Sequence, residues 1–85
     1  MYSVEYTTKF SKDFKIAQKR GLDISKLRDV MKKLERRHCE HILKGNPYDG
    51  DSECHVSPDW LLIYRYIGKD KLLFVRTGTH SDLFR

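Results

Sequence analysis

The sequence predicts an α+β domain in which two N-terminal helices pack on a mainly antiparallel β-sheet. Three observations lead there: a strand-like alternation at the start, two stretches of helical periodicity after it, and two strongly apolar runs in the last third. With 85 residues there is room for one core, so residues 1–85 are read as a single domain.

The elements follow in order. Tyr2, Val4 and Tyr6 alternate with Ser3 and Glu5, the period of a half-buried strand. Thr7 or Thr8 can cap the first helix by accepting from an unpaired N–H of its first turn. Phe10, Phe14 and Ala17 recur at helical spacing, with Lys9, Lys12, Lys15, Lys19 and Arg20 mostly on the other faces. Gly21 stands where a helix stop is expected. Asp23 or Ser25 starts the second helix, whose stripe is Ile24, Leu27, Met31 and Leu34. His38 and His41 extend that stripe if the helix runs on, and Lys32, Lys33, Arg36 and Arg37 form a basic cluster. A short glycine-containing turn makes the two helices an antiparallel hairpin.

Residues 45–52 are rich in turn formers and read as a loop. Glu53 to Val56 is a short strand, broken by Ser57-Pro58-Asp59. Trp60 to Ile67 shows little alternation, as expected of a central strand covered on both faces for part of its length. Gly68-Lys69-Asp70 is a turn of hairpin length, and Lys71 to Thr77 is the returning strand. Beyond it Gly78 lets the backbone turn, so that His80 can face a cleft.

The balance of 17 Lys+Arg against 12 Asp+Glu favours an anionic partner. No apolar run approaches the roughly 20 residues that cross a bilayer. Cys39 and Cys54, with no leader sequence in view, suggest reduced thiols and a cytoplasmic location. His38, Cys39, His41, Cys54 and His55 are capable zinc ligands, but their spacing lacks the usual two- to four-residue gaps of structural sites, so no metal is expected.

Glu53, His55, Asp59, His80 and Phe84 fall at the ends of the apolar runs, where side chains leave the core and can converge at one edge. RNA carries its own nucleophile, the ribose 2′-OH. Its cleavage needs that hydroxyl deprotonated, the phosphorane charge stabilised and the 5′-oxygen protonated. Histidine titrates near working pH and suits both proton transfers. A cation serves the phosphate, and an aromatic ring stacks on a splayed base. His41, His55 and His80 are present, with carboxylates at Glu53 and Asp59, Arg65 and Arg76 on strands, and Phe84 near the end. Ordinary explanations stand beside these: turn chemistry for Asp59, a backbone partner for His80, a core contact for Phe84, and solvated strand charges for the arginines.

The stretch Glu53-Cys54-His55-Val56-Ser57-Pro58-Asp59-Trp60-Leu61-Leu62-Ile63-Tyr64, with Arg76-Thr77-Gly78-Thr79-His80-Ser81-Asp82-Leu83-Phe84, resembles the YafQ family of bacterial toxins, within the RelE/ParE superfamily of type II toxin–antitoxin systems. Phe10-Ser11-Lys12-Asp13-Phe14-Lys15 and the Gly21 turn are similar too, and His41-Ile42-Leu43-Lys44-Gly45-Asn46 resembles the family's His-Pro-Leu-x-Gly stretch. The resemblance implies a RelE-like fold and a metal-independent, ribosome-dependent endoribonuclease (an mRNA interferase) that needs no cofactor. Its implied partners are the 70S ribosome, with mRNA in the decoding site, and a cognate antitoxin that silences it; a membrane is not among them. Carried over by residue, His80 is the proton donor to the leaving group. His41, His55 and Asp59 are further catalytic positions, and Phe84 orients substrate. Glu53, Arg65, Arg76 and Lys44 are the candidate substrate-binding residues. The chain departs from the family in a shorter segment before His41, in Asn46-Pro47-Tyr48-Asp49-Gly50-Asp51 replacing a Gly-x-Trp-Lys stretch, and in Ser52 replacing an arginine. Two alternatives remain at this level: a ParE-like gyrase poison on the same scaffold, and a degenerate toxin that only binds its antitoxin.

Overall fold

The computed structural model describes residues 2–36 and 51–84. Its elements are β1 (Ser3–Tyr6), α1 (Thr8–Lys19), α2 (Ile24–Arg36), β2 (Ser52–Ser57), β3 (Trp60–Ile67), β4 (Lys71–Gly78) and α3 (His80–Leu83). The α+β class holds. The helical pair follows an opening strand, in the order that the periodicity indicated, and a third short helix, α3, was not foreseen. The four strands form one mixed sheet in the order β1-β4-β3-β2. β2, β3 and β4 run antiparallel, whereas β1 pairs in parallel with β4. That one parallel pair follows from topology: the chain leaves β1 through α1 and α2, and its last strand is the one that lies beside the first.

Thr7 sets the first junction. Its hydroxyl accepts from the Phe10 N–H at 2.9 Å and donates to the Val75 carbonyl at 2.6 Å, while its own N–H reaches the Phe74 carbonyl at 3.1 Å. One residue thus caps α1 and ties it to β4. At the other end Gly21 has φ 75°, a conformation that L side chains resist. The Gly21 N–H bonds the Gln18 carbonyl and the Leu22 N–H bonds the Ala17 carbonyl, both at 3.1 Å. This is the two-bond glycine stop that satisfies the last carbonyls of a helix. Asp23 then opens α2, its Oδ1 accepting from the Ser25 N–H and hydroxyl.

The main core lies between the helices and one sheet face. Phe10, Ala17, Leu27, Met31 and Leu34 from the helices meet Trp60, Leu62, Tyr64, Leu72 and Phe74 from the sheet. Leu61, Ile63 and Leu83 form a second, smaller cluster with Val75 packed against it. Both sides of β3 are therefore covered from Trp60 to Tyr64, which is why its sequence fails to alternate. Two register shifts mark this end of the sheet: Val56 is extra in β2 and Val75 is extra in β4. Such bulges bend and twist a strand locally and re-aim the residues beyond them. Here the residues beyond are Asp59 and His80.

Because the Thr7 hydroxyl makes two hydrogen bonds at a partly buried junction, Thr7→Ala should destabilise the fold by about 1–2 kcal/mol, the usual cost of a lost helix cap. Urea unfolding of the two proteins measures the difference, and Thr7→Ser should recover most of it.

Candidate active site

The site is built where the antiparallel register places three strands side by side. His55 of β2 lies opposite Leu61 of β3, and Leu61 lies opposite Gly78 of β4. Two residues past Gly78 the chain reaches His80 at the start of α3. The imidazoles of His55 and His80 come to a centroid distance of 6.0 Å. One phosphodiester group can bridge that gap with hydrogen bonds of ordinary length.

Asp59 sits in the turn between β2 and β3. Its Oδ1 lies 3.0 Å from His80 Nδ1 and accepts from the His80 backbone N–H at 3.3 Å. These two bonds hold the Asp59 carboxyl below its ordinary pKa, the side-chain bond being the larger cause. An ionised carboxylate at Nδ1 favours the tautomer protonated there and leaves Nε2 as the outer nitrogen. When the ring is charged, its Nε2–H is a proton to give. Phe84 lies one helical turn past His80 at a ring distance of 6.1 Å, and it is 41% exposed. Together these groups can transfer protons to and from one bound group while a flat ring is held beside it.

The structure therefore brings His55, Asp59, His80 and Phe84 together. Glu53 is two residues before His55 on β2, opposite Ile63, at roughly 7 Å by ordinary strand rise. Arg76 lies at the Ile63 level of β4, but its Nε and Nη2 are turned to Asp13 of α1 at 2.7 and 3.0 Å. Arg65 is four residues along β3 from Leu61, about 13 Å away, and its Nε bonds the buried Asp51 at 2.6 Å. Both arginines thus hold carboxylates of this chain. His41 and Lys44 lie outside the described residues.

Three further residues at the site went unread in the sequence. Thr79 and Asp82 form a capping box on α3: the Thr79 hydroxyl accepts from the Asp82 N–H, and Asp82 Oδ2 accepts from the Thr79 N–H, both at 3.1 Å. The signal was there, since Thr79-x-x-Asp82 is the spacing of that motif. Arg20 joins from the end of α1, its Nη1 2.9 Å from Asp82 Oδ2. The bond to Arg20, then that to the Thr79 backbone, lowers the Asp82 pKa from 3.8 to about 2. Gly78 has a different reason than the one expected. Its φ is not positive, so backbone freedom is not the need. A Cβ there would lie 3.1 Å from both Cβ and Oδ2 of Asp82, so the glycine makes room.

Two neighbouring histidines, one of them bonded to a carboxylate, are thus mounted at the edge of a small α+β sheet. A family model for the bacterial toxin of type II toxin–antitoxin systems, YafQ, matches residues 2–85, and the chain belongs to that family. The mRNA interferase toxin YafQ of Escherichia coli strain K12 is 44% identical over 89 residues, spanning 95% of this chain and 94% of that protein. The crystal structure of YafQ from E. coli strain BL21(DE3) matches with a TM-score of 0.89 at 38% identity, covering 100% of both chains. The E. coli DinJ–YafQ toxin–antitoxin complex contains a chain with a TM-score of 0.86 at 40% identity, covering 99% of this chain and 98% of that one.

The lowered pKa of Asp82 has a pH consequence. Over the window between 3.8 and about 2 the folded state binds fewer protons at this group than the unfolded chain does. Its contribution is therefore complete above that window and is lost as pH falls through it. Arg20→Ala should be only slightly less stable than the parent at neutral pH, as befits a largely exposed pair, and that small gap should close as acid protonates Asp82. Denaturant unfolding across this pH range, run on both proteins, checks the sign.

Proposed function

We propose that this chain is an mRNA interferase, the toxin of a type II toxin–antitoxin pair, which cleaves mRNA held in the decoding site of the ribosome. The observation that carries the reading is the His80–Asp59 contact at 3.0 Å, with His55 and Phe84 each about one ring's reach away. The ribose 2′-OH attacks its own phosphate. His80, charged and held by Asp59, gives its Nε2 proton to the departing 5′-oxygen. His55 takes the 2′-proton and, once charged, stabilises the phosphorane, and Phe84 stacks on a base beside the cleaved bond. The chemistry calls for no divalent ion, because the nucleophile comes with the substrate. Products carry 2′,3′-cyclic or 3′-phosphate ends and 5′-OH ends.

Ribosome docking is supported by the exposed cations of the helices. Lys9, Lys12, Lys32, Lys33 and Arg36 all stand in solvent, on a chain of formal charge +5. With Arg65 and Arg76 engaged in ion pairs, the extended RNA surface of the ribosome is a better source of substrate affinity than strand arginines. A cognate antitoxin is the second partner, supported by the relative that was crystallised with DinJ. A ribosome substrate sets the location in the cytoplasm; no described helix is long and apolar enough to cross a membrane. A gyrase poison has no use for an oriented imidazole, and nothing at the site favours that alternative.

His80→Ala should lower the single-turnover cleavage rate on programmed ribosomes by a factor on the order of 100 to 10,000 while leaving ribosome and antitoxin binding intact. His80→Ala cleaving at the parental rate would remove the assignment. Reversing Lys9, Lys12, Lys32 and Lys33 together should weaken ribosome binding and flatten its salt dependence, since each phosphate contact releases counterions. Binding titrations at several salt concentrations read this out.

A further inference from the structure

His80 is carried on an element that cannot hold itself. α3 is four residues long, far below the length at which an isolated helix is stable in water. Leu83 anchors one side of it against Leu61 and Ile63. That packing and the two Asp59 contacts with His80 hold the helix on the inner side and at its start. The restraint on the other side is Asp82. It closes the capping box with Thr79 and is gripped by the Arg20 guanidinium, Nη1 to Oδ2 at 2.9 Å and Nη2 to Oδ1 at 3.5 Å. Arg20 is the C-cap of α1, 62 positions away in sequence, and α1 itself is locked to β4 through Thr7. Gly78 leaves the space through which Asp82 makes these contacts.

We propose that Arg20 and Asp82 are positioning residues for His80, clamping α3 to the end of α1 so that the imidazole stays between Asp59 and the substrate. This rests on the reading of His80 as the general acid. The side chains of Arg20 and Asp82 are 48% and 27% exposed. A pair in that setting contributes little to global stability. The consequence of breaking it is therefore geometric, and displacements of about 1 Å can cost about 100-fold in rate. The two residues also carry opposite charges. Removing Arg20 weakens attraction to RNA and removing Asp82 strengthens it, so steering alone predicts effects of opposite sign, whereas the clamp predicts losses in both.

The test uses the full-length chain on programmed ribosomes at saturation. Arg20→Ala and Asp82→Ala should each lower the single-turnover rate by about 10- to 100-fold with ribosome affinity little changed. Arg20→Lys should fall between, because it keeps the charge and loses the fork. The double variant should lose no more than the worse single one, and in a His80→Ala background neither change should cost anything further. Additive losses, losses that persist without His80, or an effect confined to affinity would overturn the proposal. The imidazole nitrogen signals of His80 provide a readout independent of cleavage. Nδ1 should be held protonated beside Asp59 in the parent and should shift in both variants. Unchanged signals in both would overturn the clamp, whereas shifted signals with full cleavage by His80→Ala would keep the clamp and remove the acid assignment.

Discussion

The burial of β3 on both faces is the constraint from which the remaining architecture follows. Five consecutive residues, Trp60 to Tyr64, are buried, and consecutive strand residues point to opposite sides of a sheet. Each side therefore needs a cover. The helical pair supplies a large one. On the other side, among the described residues, Leu83 of a single helical turn, with Val75, closes over Leu61 and Ile63. Docking that turn brings His80 beside His55, so one packing requirement both completes the core and assembles the candidate site.

Polar contacts determine how sharply this assembly is defined. The buried Thr77 hydroxyl accepts from Trp60 Nε1 at 2.9 Å and donates to the Leu61 carbonyl at 2.8 Å, holding β3 and β4 in register beneath the site. A slip of one residue would turn every side chain to the wrong face, so a satisfied buried pair at this level has large structural leverage. Above it two carboxylates divide the work on α3. Asp59 grips the histidine from the preceding turn, and Asp82 grips the helix from within, with Arg20 behind it. Neither is a deep ion pair of large net energy. Each limits the rotation of a group whose chemistry depends on direction.

Much of this was legible in the sequence because the signals were local. A cap at Thr7 or Thr8, a stop at Gly21, a start of α2 at Asp23 or Ser25, and the turn at Gly68 all rest on interactions within a few residues, and the structure shows them there, with Thr7 and Asp23 as the two that serve. The limits of β3 match for the same reason: an apolar run between turn formers admits few alternatives. The bulges at Val56 and Val75 left no comparable mark, since an extra residue in one strand is defined only against its partner. Arg65 and Arg76 were read as substrate-binding cations, solvated charges or partners of Glu53 and Asp70, yet their partners, Asp51 and Asp13, lie 14 and 63 positions away.

The sequence by itself determined the class of fold, the approximate limits of its longer elements, and the residue types able to move protons, because propensity, periodicity and side-chain chemistry are properties of short stretches. Only the tertiary structure decided which of those residues meet. His55, Asp59 and His80 are drawn together by strand register and by the docking of α3, whereas Arg65 and Arg76 are drawn away by carboxylates on other elements. Even the reason for Gly78 changed, from backbone freedom to the room that Asp82 requires. Proximity between distant segments comes from how the apolar faces cover one another, and no window of neighbouring residues contains that information.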